Sequence, residues 1–223
     1  MWILALIVLV ILLVLPSWWV KHVINKHSEH DEQYPGTAGQ LVEHLVRTQE
    51  LEGVTVAASD IGDHYDPMAK QVRLAEGRLD QQSLAAVVIA AHEVGHAMQD
   101  AANEPLFVWR SRIAKIVGYL QQIAPILFWL SPILLAVSPM VSRLTFFMSI
   151  ILLLSTVLFH LVTLPVELDA SFRKALPILK KGGYITKENY AAADRILWAA
   201  ALTYVSSAVF SLLNIWRWIR IMR

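Results

Sequence analysis

The sequence predicts a mostly α-helical, multi-span membrane protein with one small α+β piece outside the bilayer. Two observations lead to this fold class. First, 56% of the 223 residues are hydrophobic and only 17% are charged, whereas soluble domains are about half apolar and a quarter charged. Second, the apolar residues are concentrated in long stretches, and the remaining polar residues form two segments. The composition excludes a disordered chain and argues against an ordinary soluble globule.

Four apolar stretches approach the length of about 20 residues that crosses a bilayer core. Residues 1–20 carry no charged side chain. They lack a basic leader region and an Ala-x-Ala cleavage site, which favours an uncleaved transmembrane helix. Residues 123–141 and 144–166 predict a transmembrane hairpin connected at residues 142–143. For residues 196–216, hydropathy favours a spanning helix over an amphipathic helix on the membrane surface.

The two polar segments, a soluble domain at 21–119 and a basic loop at 167–195, are separated by an even number of predicted crossings and are therefore expected on the same side. Both are rich in basic residues close to the membrane, whereas the hairpin tip offers only Arg143. The positive-inside rule then places both segments in the cytoplasm and the N-terminus outside the cell membrane. If the last stretch also spans the membrane, the arginines at the C-terminus would lie outside, which disagrees with this rule.

The charge balance and the absence of cysteine exclude several classes of function. Lys and Arg number 19 against 18 Asp and Glu, so nothing in the charge predicts a nucleic-acid partner. Without cysteine, the chain has no disulfide scaffold, no Cys-ligated zinc and no thiol nucleophile.

Local patterns within the soluble domain predict two helices and two strands. Thr37 is placed to cap a helix that runs to about Glu50, and Ser83 to cap a second helix that runs from Leu84 to about Ala102. Between them, short apolar runs predict strands at 54–57 and 71–74, joined by a polar loop at 60–67.

The second of these helices carries the motif His92-Glu93-Val94-Gly95-His96. Residues four apart share a helix face, so the two imidazoles can reach one metal ion, and zinc suits imidazole ligands. Glu93 is then placed to act as general base towards a zinc-activated water. Gly95 leaves room for another segment to approach closely. The alternative is an ordinary polar patch on a helix. The surrounding turns are almost wholly apolar, which makes unpartnered polar groups costly there and favours the metal site.

A catalytic zinc takes three protein ligands and keeps one open position. No third histidine follows at short spacing, so a distant carboxylate is expected. Glu167, where the third apolar stretch meets the basic segment, is the first candidate, and Asp169 is its rival. A carboxylate here could also simply mark the end of a span. His160 lies within the third stretch, where a packed, hydrogen-bonded histidine is commoner than a functional one.

Three stretches of sequence carry a family resemblance. They are DHYDP at 63–67 with VRL at 72–74, SLAA at 83–86 leading to AAHEVGHAMQ at 90–99, and TLPVE at 163–167 with DAS at 169–171. With these, the chain from about residue 37 to residue 176 resembles the YugP-type membrane zinc metallopeptidases, which look like glutamate-type zincins. Asp169 departs from the pattern, where Asn is expected more often, and residues 21–34 have no match.

The resemblance implies a zincin-like catalytic piece, one zinc ion per chain held by His92, His96 and Glu167, and Glu93 as the catalytic base. It also implies that Ala170 and Ser171 pack against the helix of the motif. The expected function is that of a zinc metalloendopeptidase acting on peptide or protein substrates, including membrane-associated ones. A non-proteolytic zinc-containing membrane scaffold is the alternative, and a zinc hydrolase of non-peptide amides is a third possibility.

Other residues have less certain expected roles. His64 and Tyr65, from the polar loop, are candidates for stabilising the transition state, although their loop also fits a plain hydrogen-bonded turn. The strand near 72–74 could offer its edge to an extended peptide. An aspartate could orient a zinc-bound imidazole, the candidates being Asp60, Asp66 and Asp169.

Overall fold

The structure, a computed structural model, describes residues 18–221, with side chains up to residue 212. The predicted span at 1–20 therefore lies almost entirely outside the described residues. The described chain forms two compact units. One comprises residues 18–108 and Pro165–Thr203, and the other Trp109–Leu164 and residues 204–221.

The first unit contains both predicted helices of the soluble domain. Helix α1 covers residues 18–26, and α2 covers Ala38–Thr48. Thr37 caps α2 through a capping box, because its side chain accepts from the Gln40 N–H while the Gln40 side chain accepts from the Thr37 N–H. A short helix α3, Glu76–Leu79, precedes α4, Leu84–Ala101. Ser83 caps α4 by accepting from Ala86 N–H, as predicted.

The unit also holds a three-stranded sheet, in which β1 (Thr55–Ser59) and β2 (His64–Asp66) flank β3 (Gln71–Ala75). Strand β1 is parallel to β3 and β2 is antiparallel to it. Strand β2 falls inside the predicted polar loop, because the Asp66 carboxylate accepts from two following backbone N–H groups and turns the chain back onto β3.

The central position of β3 corrects one expectation. Both sides of β3 are paired, so the strand near 72–74 has no free edge along most of its length to offer an extended peptide. The outer edges of the sheet belong to β1 and β2.

Three helices in the described residues are long and apolar enough to cross a membrane. Helix α5 covers Pro105–Leu134, α6 covers Pro139–Leu168 and α8 covers Tyr190–Ile221. At 1.5 Å per residue, a 30-residue helix is about 45 Å long, which exceeds the bilayer core. Many of their large apolar side chains are exposed, Trp129 at 63% and Leu158 at 61% among them. Lipid accounts for such exposure, and the protein is accordingly a membrane protein.

The connection between α5 and α6 lies earlier than the sequence predicted. It occupies residues 135–138, and Ser142 and Arg143 are already helical. Pro139 is the physical reason, since proline lacks a backbone N–H and suits the first turn of a helix. Pro125 and Pro132 lie inside α5.

The predicted basic loop at 167–195 is mostly helical. Helix α6 continues to Leu168, and a π-helical segment (Asp169–Ala175), helix α7 (Leu176–Lys181) and a 3-10 turn (Lys187–Asn189) follow. The many basic side chains of this segment made it read as a loop, although its apolar residues recur with the period of an amphipathic helix. The small and apolar residues between the basic side chains are buried in the core of the unit: Ala170, Ala175, Leu176 and Leu179.

Candidate metal centre

Helix α4 places His92 and His96 on one buried face. Their ring centroids are 4.8 Å apart, and the residues are 7% and 4% exposed. This is the arrangement that the four-residue spacing predicts for a helix. Most of α4 is buried, so the two imidazoles lie within the core of the unit rather than on its surface.

Glu167, from the last turn of α6, completes the group. Its Oε2 atom lies 3.2 Å from His92 Nε2 and 3.3 Å from His96 Nε2, and the residue is 3% exposed. One ligand atom from each of the three side chains lies within 4.8 Å of the others. The three residues are therefore positioned to bind a metal ion.

Gly95 allows the two ligand-bearing segments to come together. A Cβ atom at this position would lie 2.7 Å from the carbonyl oxygen of Ala170 and 3.3 Å from its Cα. Real Cβ atoms do not approach backbone atoms so closely, so only glycine fits. Ala170 and Ser171 are fully buried in the π-helical segment next to Glu167. The expected packing of these small residues against the helix of the motif is confirmed.

Hydrogen bonds orient both imidazoles. His96 Nδ1 lies 2.8 Å from Gln99 Oε1, and His92 Nδ1 lies 3.0 Å from Ser171 Oγ. Both Nε2 atoms are thereby directed towards Glu167. Sequence reasoning missed Gln99 and Ser171 as orienting residues. For Gln99 a signal existed, since it follows His96 by three residues on an otherwise apolar helix.

Two of the three aspartates that were considered for this role, Asp169 and Asp66, make other contacts. The Asp169 carboxylate accepts from Gln99 Nε2 at 2.9 Å and from Lys174 Nζ at 2.6 Å, and not from either imidazole. Asp169 was also the rival candidate for the third zinc ligand. The metal-binding group contains Glu167 instead. Asp66 serves the turn after β2 and pairs with Arg73 at 3.3 Å.

The donor set fits zinc. Two imidazole nitrogens and one carboxylate oxygen are the ligands of many catalytic zinc sites, which keep a fourth position open. The partners of both Nδ1 atoms leave both Nε2 atoms for a metal. Burying a carboxylate beside two imidazoles is costly, and a divalent cation at their centre would offset that cost.

Glu93 lies on α4 beside the first ligand and is 7% exposed. Its carboxylate is thus carried by the same rigid helix as the two histidines.

His64 and Tyr65, which were predicted to lie in a polar loop, are part of strand β2. Tyr65 is buried, and its hydroxyl donates to Asp100 Oδ2 at 2.8 Å. Burial, followed by this carboxylate, raises the pKa of Tyr65. The Tyr65 ring lies 6.3 Å from the Phe107 ring, which in turn lies 5.9 Å from the His96 ring. His64 is half-buried, with Nδ1 3.0 Å from the Gly62 carbonyl oxygen. Neither residue belongs to the metal-binding group.

His160 lies in the part of α6 that belongs to the other unit. Its ring is 6.3 Å from that of Tyr204 and 5.7 Å from that of Phe159. It is packed among aromatic rings, and the metal-binding group does not include it.

The comparisons with known proteins agree with this geometry. A family model described as "Putative neutral zinc metallopeptidase" matches residues 2–223. The "Putative membrane protease YugP" of Bacillus subtilis (strain 168) is 33% identical over 211 residues, which cover 92% of this chain and 91% of the relative. No solved structure matches. With a buried donor set suited to zinc and a family match over nearly its whole length, the chain belongs to the family described as "Putative neutral zinc metallopeptidase".

Proposed function

We propose that the protein is a membrane zinc metalloendopeptidase that hydrolyses peptide bonds with a glutamate general base. The observation that carries the proposal is the buried group of His92, His96 and Glu167 on a membrane protein of this family. In this proposal the three side chains hold one zinc ion. Zinc, when bound, supplies a Lewis acid that polarises a carbonyl group and acidifies water.

Glu93 is the proposed general base. It takes a proton from the attacking water and then gives that proton to the leaving amine. Its place in the motif, one residue after His92, supports this role, because the helix carries it to the metal group without making it a ligand. Its low exposure, 7%, also supports the role, since it keeps the side chain within the buried group rather than on the surface.

His64 and Tyr65 are the proposed stabilisers of the oxyanion that forms when water adds to the peptide carbonyl. In the described structure the Tyr65 hydroxyl donates to Asp100, so Tyr65 would have to exchange this partner. His64 Nδ1 faces the Gly62 carbonyl oxygen, which can only accept, so a neutral His64 would likewise have to give up this partner before its Nε2 could donate to an oxyanion.

The proposed substrates are peptides or proteins at the membrane. An extended chain would pair with an outer strand of the sheet, and β2 is the outer strand that carries His64 and Tyr65. We also propose that the catalytic unit faces the cytoplasm, which is the orientation that the basic residues of the sequence favour.

A digest of a broad peptide library by the full-length protein in detergent tests the proposal. We expect cleavage by the wild type, loss of cleavage on adding a zinc chelator, and loss of cleavage with retained zinc in Glu93→Gln. Cleavage by zinc-loaded Glu93→Gln at the wild-type rate would exclude Glu93 as the base. A zinc-loaded wild type that cleaves no peptide in the library would favour the non-proteolytic scaffold. Hydrolysis of small non-peptide amides alone would favour the third possibility.

A further inference from the structure

The side chain of Gln99 makes three hydrogen bonds next to the metal-binding group. It lies near the end of α4 and is 1% exposed. Its Nε2 atom donates to the Val166 carbonyl oxygen and to Asp169 Oδ2, both at 2.9 Å. Its Oε1 atom lies 2.8 Å from His96 Nδ1. One buried amide thus joins the second metal-binding histidine to the segment that carries Glu167.

These contacts determine which way the amide points. The Val166 carbonyl oxygen can only accept hydrogen bonds, so it must face the amide nitrogen of Gln99. The Asp169 carboxylate, which also accepts from Lys174, takes the other N–H of the amide. Both N–H groups of Gln99 are therefore used, and its oxygen must face His96. Because this oxygen can only accept, His96 Nδ1 must carry a hydrogen. A neutral imidazole carries one N–H, so the lone pair of His96 lies on Nε2, the atom nearest Glu167.

His92 lacks such a constraint. Its Nδ1 atom faces the Ser171 hydroxyl, which can either donate or accept. The two histidines therefore differ: the partner of His96 permits one neutral form, and the partner of His92 permits two.

We propose that Gln99 is a positioning residue that fixes the metal-binding tautomer of His96 and holds the Glu167 segment against α4. This inference rests on the proposed function, because it concerns the same zinc site. Its second part follows from the bond to Val166, the residue before Glu167, which anchors the backbone from which the carboxylate projects. Loss of the amide would remove the hydrogen bond that orients His96 and the one that holds the backbone next to Glu167.

An ion-pair network supports Gln99 from outside. Lys174 Nζ lies 2.6 Å from both Asp169 Oδ2 and Glu104 Oε1, and its side chain is 13% exposed. The lysine holds the Asp169 carboxylate in place, where it accepts from the second N–H of the Gln99 amide. The chain of contacts runs from His96 through Gln99 and Asp169 to Lys174 and Glu104.

Zinc affinity of the full-length protein in detergent, measured by competition with a chromogenic chelator, tests the proposal. Gln99→Met keeps the volume and loses the hydrogen bonds, and we expect it to weaken zinc binding about 10- to 100-fold. Gln121→Met is the matched control, since Gln121 is exposed and its side chain donates to the Thr156 hydroxyl, away from the metal-binding group. Wild-type affinity in a folded Gln99→Met would overturn the proposal.

A second measurement needs no variant at this position. In zinc-free wild type labelled with ¹⁵N-histidine, at a pH where the imidazole is neutral, NMR should show a protected Nδ1 proton on His96, with Nε2 unprotonated. A His96 that carries its proton on Nε2 would overturn the proposal even if Gln99→Met failed to fold. Neither readout depends on peptide cleavage. A protein that cleaves no peptide but loses zinc in Gln99→Met would therefore refute the proposed function and leave this inference standing.

Discussion

Gly95 lies directly against the carbonyl group of Ala170, and a Cβ atom at Gly95 would come within 2.7 Å of that oxygen. The contact joins α4, which carries both histidines, to the π-helical segment that follows Glu167. A π-helical segment widens the helix, and such segments are frequent at functional sites. The distance between the two ligand-bearing segments therefore depends on the absence of a side chain at one residue.

The first prediction concerns this contact. Gly95→Ala should gain up to about 1 kcal/mol in helix propensity and lose about 1–3 kcal/mol by overpacking. We expect the loss to prevail, because the opposing atom is backbone and cannot rotate away. Zinc affinity and the melting temperature of the detergent-solubilised protein should both fall.

Gly77→Ala is the matched control, since nothing lies within 4 Å of the added Cβ atom and the backbone is unstrained. It should leave zinc affinity unchanged. Equal zinc affinities for Gly95→Ala and wild type would show that the two segments can separate without disturbing the ligands.

The second prediction concerns the third ligand. Glu167→Gln keeps the shape of the side chain and removes its charge, so it should lose stoichiometric zinc. Asp169→Asn, two residues on, should retain zinc with weakened affinity, because Asp169 acts on His96 only through Gln99. Metal analysis after dialysis distinguishes the two variants. Full zinc content in Glu167→Gln, together with its loss in Asp169→Asn, would reverse the assignment of ligand and supporting residue.

How much of this site could be predicted depended on sequence distance. His92 and His96 are set by local helix geometry, which a spacing of four residues reveals. Glu167 lies 71 residues beyond His96, and the residues alone made it the first candidate but left Asp169 as a rival. The family resemblance favoured Glu167, and the structure places it in the metal-binding group. Gln99 was overlooked because its partners, Val166 and Asp169, meet it only in the folded protein.

The errors in the fold have similar causes. The segment at 167–195 was expected to be a loop because charge density hid its helical period, which the wider π-helical turn also disrupts. Strand β2 has only three residues, and its pairing with β3 depends on the turn made by Asp66. The start of α6 was misplaced because two neighbouring apolar stretches leave the position of their connection poorly defined by hydropathy.

The third prediction concerns acid stability. The N–H of Ala69, followed by that of Met68 and the Arg73 guanidinium, holds the pKa of Asp66 below its ordinary value. A carboxylate with a lowered folded pKa contributes stability above its unfolded pKa of about 4, and this contribution is lost as the pH falls through the folded pKa. Asp66→Asn should therefore melt at a lower temperature than wild type at pH 7, and the difference should shrink towards pH 3.5. A difference that stays constant over this range would mean that the charge of Asp66 contributes nothing to stability.

The fourth prediction concerns the orientation in the membrane. The natural sequence has no cysteine, so single-cysteine variants report one position each. Glu29 is exposed and lies in the first unit, which contains the metal-binding group. Arg143 is exposed and lies near the start of α6. The positive-inside rule, applied to the basic residues of the sequence, predicts that position 29 lies in the cytoplasm and position 143 outside. In intact cells, a membrane-impermeant maleimide should therefore label Arg143→Cys and should label Glu29→Cys only after the cells are lysed. Labelling of both variants in intact cells, with a cytoplasmic control protein unlabelled, would place the zinc-binding unit outside the cell.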